Sequence, residues 1–142
     1  MFVELISSED RSREGTDVGN KITITAGNVR VLVELNDTRS AKSVWEALPF
    51  DAEARTWGDE IYFSIPVKMG LENGQEVVDK GDVGYWPPGS AMCLFFGPTP
   101  VSRGGEIRPA SAVTVLGKIV SDLGQLRQVR DGMHLKVTRA EE

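Results

Sequence analysis

Six aromatic side chains stand at turns or at strand spacing: Trp57, Tyr62, Tyr85, Trp86, Phe95 and Phe96. Gathered by a fold, they would line a mostly apolar hollow of the kind that takes a small molecule or a peptide segment. Left apart, they are core. Phe63, Phe95 and Phe96 read first as core; Trp57 and Trp86 each adjoin turn residues and fit either role. Asp59 and Glu60 follow Trp57. A carboxylate at the mouth of such a hollow accepts a hydrogen bond or acts as a general base; elsewhere it is a solvated charge. Strand alternation puts Glu60 on the side of Tyr62. Arg55 and Arg108 are the nearest cations, and Glu60 with Arg108 or Arg55 is the candidate catalytic pairing; surface charge is the competing role of both arginines. Pro98 and Thr99 form a loop at the proposed rim, where the Thr99 and Ser111 hydroxyls also suit turn stabilisation.

Other reactive side chains are few. Cys93 is the one cysteine and His134 the one histidine. Cys93 lies inside an apolar run and reads as a buried, inert thiol. One histidine and one cysteine do not make the usual zinc site, and no phosphate-binding glycine loop precedes a helix. No metal and no cofactor are expected.

The elements that must position these residues are short. Lys21–Thr25 and Val29–Leu35 alternate around Ala26-Gly27-Asn28 and predict a hairpin with one buried side. Asn36, Asp37 and Thr38 offer helix caps, and Ala41, Val44, Trp45 and Leu48 make an apolar stripe that Pro49 ends. Glu53–Thr56 and Glu60–Ile65 read as strands around a Trp57-Gly58-Asp59 turn. Glu76–Val78 reads as a brief pairing. In the central stretch, Gly81–Pro100, two apolar runs are separated by Pro87-Pro88-Gly89 and closed by Gly97-Pro98, which predicts two strands and a stiff turn. Ser102–Ala112 reads as a loop, Val113–Val120 as a strand kinked at Gly117, Leu123–Val129 as a short helix capped by Asp122, and Met133–Val137 as the last strand. About eight short strands and two short helices predict a closed antiparallel β-barrel. Residues 1–20 read as an N-terminal arm and a mobile, charged loop, and 21–142 as a single domain.

Composition sets the outer limits. The 142 residues carry a formal net charge of −5, which argues against nonspecific nucleic-acid binding. No apolar run is long enough to span a bilayer. Met1–Ile6 is too short for a signal-peptide core, and one cysteine allows no intrachain disulfide. A cytoplasmic protein, with no nucleic-acid or membrane partner, is expected.

Four motifs carry a resemblance. Asp37-Thr38 before a helix, WGDEIYF at 57–63, GDVGYWPPGSAMCLFFGPTP at 81–100 and PASAVTVLGKI at 109–119 resemble the small bacterial and archaeal cyclophilin-like proteins of uncharacterised function, over residues 29–137. The resemblance implies a cyclophilin-like barrel and raises peptidyl-prolyl cis/trans isomerisation as a hypothesis. The arginine that acts on the prolyl amide in cyclophilins lies in an F-H-R-I-I-P motif. Here Tyr62-Phe63-Ser64-Ile65-Pro66 stands in that place, with Phe63 or Ser64 at the arginine position. The Q-F-F motif appears as Leu94-Phe95-Phe96, keeping the phenylalanines and losing the glutamine. The barrier to be crossed is ~18–20 kcal/mol, and without a cation or donor at the prolyl nitrogen its electrostatic support is missing.

Three readings follow. The first is a binding module holding a small molecule or proline-containing peptide among Trp57, Glu60, Tyr62, Tyr85, Trp86, Phe95, Pro98 and Thr99. The second is an enzyme, a divergent prolyl isomerase or another reaction at Glu60. The third is assembly, with Met1–Leu5 adding a strand to a second copy in a homodimer.

Overall fold

The computed structural model describes residues 20–140. The expectations for the N-terminal arm, and all but the last residue of the charged loop, fall outside that range.

Among the described residues, nine strands form one antiparallel sheet: β1 (Lys21–Ala26), β2 (Val29–Leu35), β3 (Phe50–Glu53), β4 (Arg55–Thr56), β5 (Glu60–Ser64), β6 (Asp82–Trp86), β7 (Ala91–Phe95), β8 (Thr114–Ile119) and β9 (His134–Arg139). Their spatial order is β3-β9-β1-β2-β8-β6-β7-β5-β4. The two outermost strands are separated in the chain by Ala54 alone, so the backbone bends there from one edge of the sheet to the other and nearly closes a barrel. Ala54 is fully buried. Its N–H donates to Met133 O at 2.9 Å, its carbonyl accepts from Gly132 N at 2.8 Å, and Thr56 N donates to Asp131 Oδ1 at 2.7 Å. This bend splits the single strand expected at Glu53–Thr56. Its first half begins at Phe50, which pairs with Val137.

Alternation decides what faces inward. In β2, Val29, Val31, Val33 and Leu35 are buried and Arg30 is exposed. They join Ile22, Ile24, Ile61, Phe63, Val83, Tyr85, Met92, Leu94, Leu116, Leu135 and Val137 in the interior core. The helix α1 (Arg39–Ala47) starts at Thr38, whose Oγ1 accepts from Ala41 N at 3.0 Å, a cap that satisfies one otherwise unpaired N–H. Its Ala41 and Val44 add to the same core, with Leu48 just beyond the helix. The expected second helix is a 3₁₀ segment, Leu123–Gln128, capped by Asp122, which accepts from Gly124 N at 3.0 Å.

The irregularity expected at Gly117 falls beside it. Val83 pairs with Gly117 and Gly84 with Val115, leaving Leu116 as the extra residue. Gly117 serves a close approach instead. A Cβ there would run into Glu34 O and lie 2.9 Å from Leu35 Cα, so the approach of β2 to β8 at the Leu35–Gly117 pair is this close only because Gly117 lacks a side chain. Among the described residues, no helix is long and apolar enough to cross a membrane.

Candidate functional site

A second apolar cluster lies apart from the interior core. Cys93, Phe95 and Val113 pack with Val78 and Ile107, flanked by Tyr62, Trp86 and Val115. Parity explains it. Met92 and Leu94 of β7 belong to the interior core, so Cys93 and Phe95 emerge on the other face of the sheet. Register puts Tyr62 opposite Cys93 and Glu60 opposite Phe95. The segment 97–113 covers that outer face. It is held by pairing of Gln75 with Val113 and of Val78 with Ile107, and by Ser102 Oγ, which accepts from Thr99 N at 2.9 Å and Arg108 N at 3.1 Å.

Between cover and sheet is a cavity of about 280 Å³ lined by Trp57, Glu60, Tyr62, Trp86, Cys93, Pro109, Ala110 and Val113. Two of these positions are held by identifiable contacts. Trp57 leads a turn in which Trp57 N donates to Glu60 O at 2.9 Å and Gly58 takes φ +62°. That turn is clamped by Asp59 N to Pro98 O at 2.9 Å and Phe96 N to Asp59 O at 3.0 Å. A Cβ on Gly58 would sit 2.9 Å from Pro98 O, so glycine is required by both conformation and space. Trp86 is fixed by its indole N–H, which donates to Ser111 Oγ at 2.7 Å.

Glu60 is the polar centre of the cavity. It is only 5% exposed, and its Oε1 has no hydrogen-bond partner among the described residues. Burial raises its pKa from 4.5 to about 7, against a smaller lowering by the Cys93 thiol. Burial first, then the Glu60 carboxylate, push the Cys93 thiol well above its ordinary range, so Cys93 is a neutral thiol at the cavity wall.

The structure therefore brings Trp57, Glu60, Tyr62 and Trp86 around one space and places the other candidates elsewhere. Tyr85 is fully buried inside the barrel, where its hydroxyl donates to Val67 O at 2.7 Å and accepts from Met69 N at 3.3 Å; its neighbour Trp86 takes the outer face because successive strand residues point oppositely. Phe95 packs in the outer cluster without lining the cavity. Pro98 borders a different depression, with Asp59 and Arg127. Thr99 is a fastening for the cover: its hydroxyl donates to the Arg108 carbonyl. The Arg108 guanidinium is engaged by Glu106, with Nε at 2.7 Å from Oε2, and does not reach the cavity lining. Arg55 lies 3.5 Å from Glu53 on the surface. Asp59 pairs with Arg127 at 3.0 Å, beside the Phe96 ring.

Sequence reasoning left Cys93, Pro109, Ala110 and Val113 out of the site. The run Ala91–Phe96 is apolar on both faces, so no alternation marks Cys93 as facing outward. The cover residues come from a loop with no periodicity at all. Among the described residues, no cluster of three or more histidine, cysteine, aspartate or glutamate side chains could hold a metal ion.

The family model described as cyclophilin-like matches residues 20–138. The chain belongs to the cyclophilin-like family. This cyclophilin-like chain is also similar to the solution structure of a hypothetical protein from Archaeoglobus fulgidus, at 42% identity and a TM-score of 0.76, covering 89% of this chain and 98% of that one. No curated protein matches it. At both positions open to alignment with the cyclophilin arginine, the cyclophilin-like barrel carries residues of other types. Phe63 is inside the core, while Ser64 is exposed and donates to Gly89 O at 3.1 Å.

Proposed function

We propose that this protein is a binding module whose outer-face cavity holds a small molecule or a short proline-containing peptide segment. One observation carries the reading: a buried carboxylate, one of whose oxygens has no partner among the described residues, lines a cavity flanked by two indoles. A buried acceptor left unpaired costs about 1–3 kcal/mol, and more when charged. A bound donor would recover that cost. The volume of about 280 Å³ is near the lower end of the range for small-molecule sites, which favours a compact ligand or one or two side chains of a peptide.

A thermal-shift screen of small molecules and short X-Pro peptides tests the assignment. Stabilising ligands of the wild type should lose their effect in Trp57→Ala and in Trp86→Ala. If both variants respond as the wild type does, the ligand binds elsewhere. The divergent peptidyl-prolyl isomerase is separated by a protease-coupled assay on an X-Pro peptide. Among the described residues, the cavity lining contains no arginine or lysine to draw charge from the prolyl nitrogen, so micromolar protein is expected to leave the isomerisation rate unchanged.

A further inference from the structure

We propose that the ligand of this cavity is a protonated amine on a compact apolar body, with an N–H seated on the Glu60 carboxylate and its charge set among Trp57, Tyr62 and Trp86. The inference rests on the cavity being a binding site and goes on to name the chemistry of its occupant. An ionised carboxylate only accepts hydrogen bonds, so what Oε1 lacks is a donor. Among the described residues, the lining offers it no lysine, arginine or histidine. Three aromatic residues share that lining, and aromatic faces attract cations, more strongly where water is excluded. A neutral donor would satisfy the carboxylate without the attraction of the aromatic faces for a cation, and an anion would meet Glu60 as a like charge.

Neighbouring ions do not compete for this role. Asp59 is paired with Arg127 at 3.0 Å, Arg108 with Glu106 at 2.7 Å, and Arg55 lies beside Glu53 at 3.5 Å. The titratable groups sharing the cavity with Glu60 are the Cys93 thiol from β7 and the Tyr62 hydroxyl from its own strand. The cover adds only Pro109, Ala110 and Val113. Among the described residues, Glu60 is thus the single carboxylate lining the space. With its midpoint near 7, it must shed a proton to receive a cation, so binding and proton release are coupled.

The test uses benzylamine, benzyl alcohol and benzoate, titrated into the full chain between pH 5 and pH 8 by calorimetry and by tryptophan fluorescence. Benzylamine is expected to bind at least about tenfold more tightly than benzyl alcohol at pH 8, and benzoate more weakly than either. Amine affinity should fall by about tenfold per pH unit below pH 7, the slope of one coupled proton, while the alcohol stays flat. Glu60→Gln should erase the preference for the amine and leave alcohol binding in place. Equal, pH-independent binding of amine and alcohol with a change in indole emission overturns the cationic ligand and leaves the cavity reading intact. No indole response to any of the three overturns both. Should Glu60→Gln fail to fold, the pH slope of the wild type decides alone.

Discussion

Replacing Glu60 by glutamine should make the fold more stable at neutral pH and almost indifferent to the change at acid pH. Glu60 has a pKa of about 7 in the folded protein, against 4.5 for the free side chain. The folded state therefore holds a proton that the unfolded chain releases between those values, so stability falls as pH rises from about 4.5 and stops falling above about 7. At 1.36 kcal/mol per unit the full penalty is about 3 kcal/mol. For a domain of this size that corresponds to roughly 10 °C in Tm. Glutamine keeps the shape and has no charge to desolvate, although its amide also needs partners. The informative quantity is thus the pH dependence of the difference rather than its absolute value. Thermal unfolding followed by circular dichroism from pH 4 to pH 8 should show Tm of Glu60→Gln gaining on the wild type between pH 4.5 and 7. A Tm difference that stays constant over this range would refute the argument that burial of the carboxylate is the dominant cost.

Two further outcomes follow from packing. Gly117→Ala should destabilise by about 1–3 kcal/mol or more in urea unfolding, since the added methyl meets backbone atoms of Glu34 and Leu35 that cannot step aside. Gly105→Ala, with nothing within 4 Å of the added carbon, should stay within about 0.5 kcal/mol of the wild type. Cys93 is 1% exposed with its thiol pKa raised by burial. Alkylation by iodoacetamide at pH 8, read by mass, should accordingly be far slower in the native protein than in urea; equal rates would place the thiol in solvent.

Much of the frame is legible in the chain. Alternation across Lys21–Leu35 has a polar partner at nearly every second position of β2, and that contrast identifies the inward face before any neighbour is known. Thr38 before an apolar stripe marks the helix start. Glycine and proline clusters bound the two strands of the central stretch, because they interrupt strand pairing wherever they fall. The motifs at 57–63 and 81–100 carry the family. Glu60 could be placed with Tyr62 because β5 alternates apolar and polar side chains from Ile61 onward.

Where both faces of a strand are covered, that information disappears. The stretch Ala91–Phe95 is buried throughout, one face against the barrel interior and the other beneath the segment 97–113. Nothing in its uniform apolarity assigns Cys93 to the cavity wall; in β6, adjacency sets Tyr85 and Trp86 on opposite faces without saying which face borders the cavity. Thr99 and Arg108 were grouped with the site by chemical type. Their backbone and ion-pair partners make them fastenings of its cover. The sequence by itself determined strand count to within one, the capped helix and the family, since those depend on contrasts between near neighbours. Tertiary structure decided that Trp57, Glu60 and Trp86 share a space and that, among the described residues, no guanidinium lines it, since long-range strand register and the path of a nonrepeating loop are settled by contacts between distant residues.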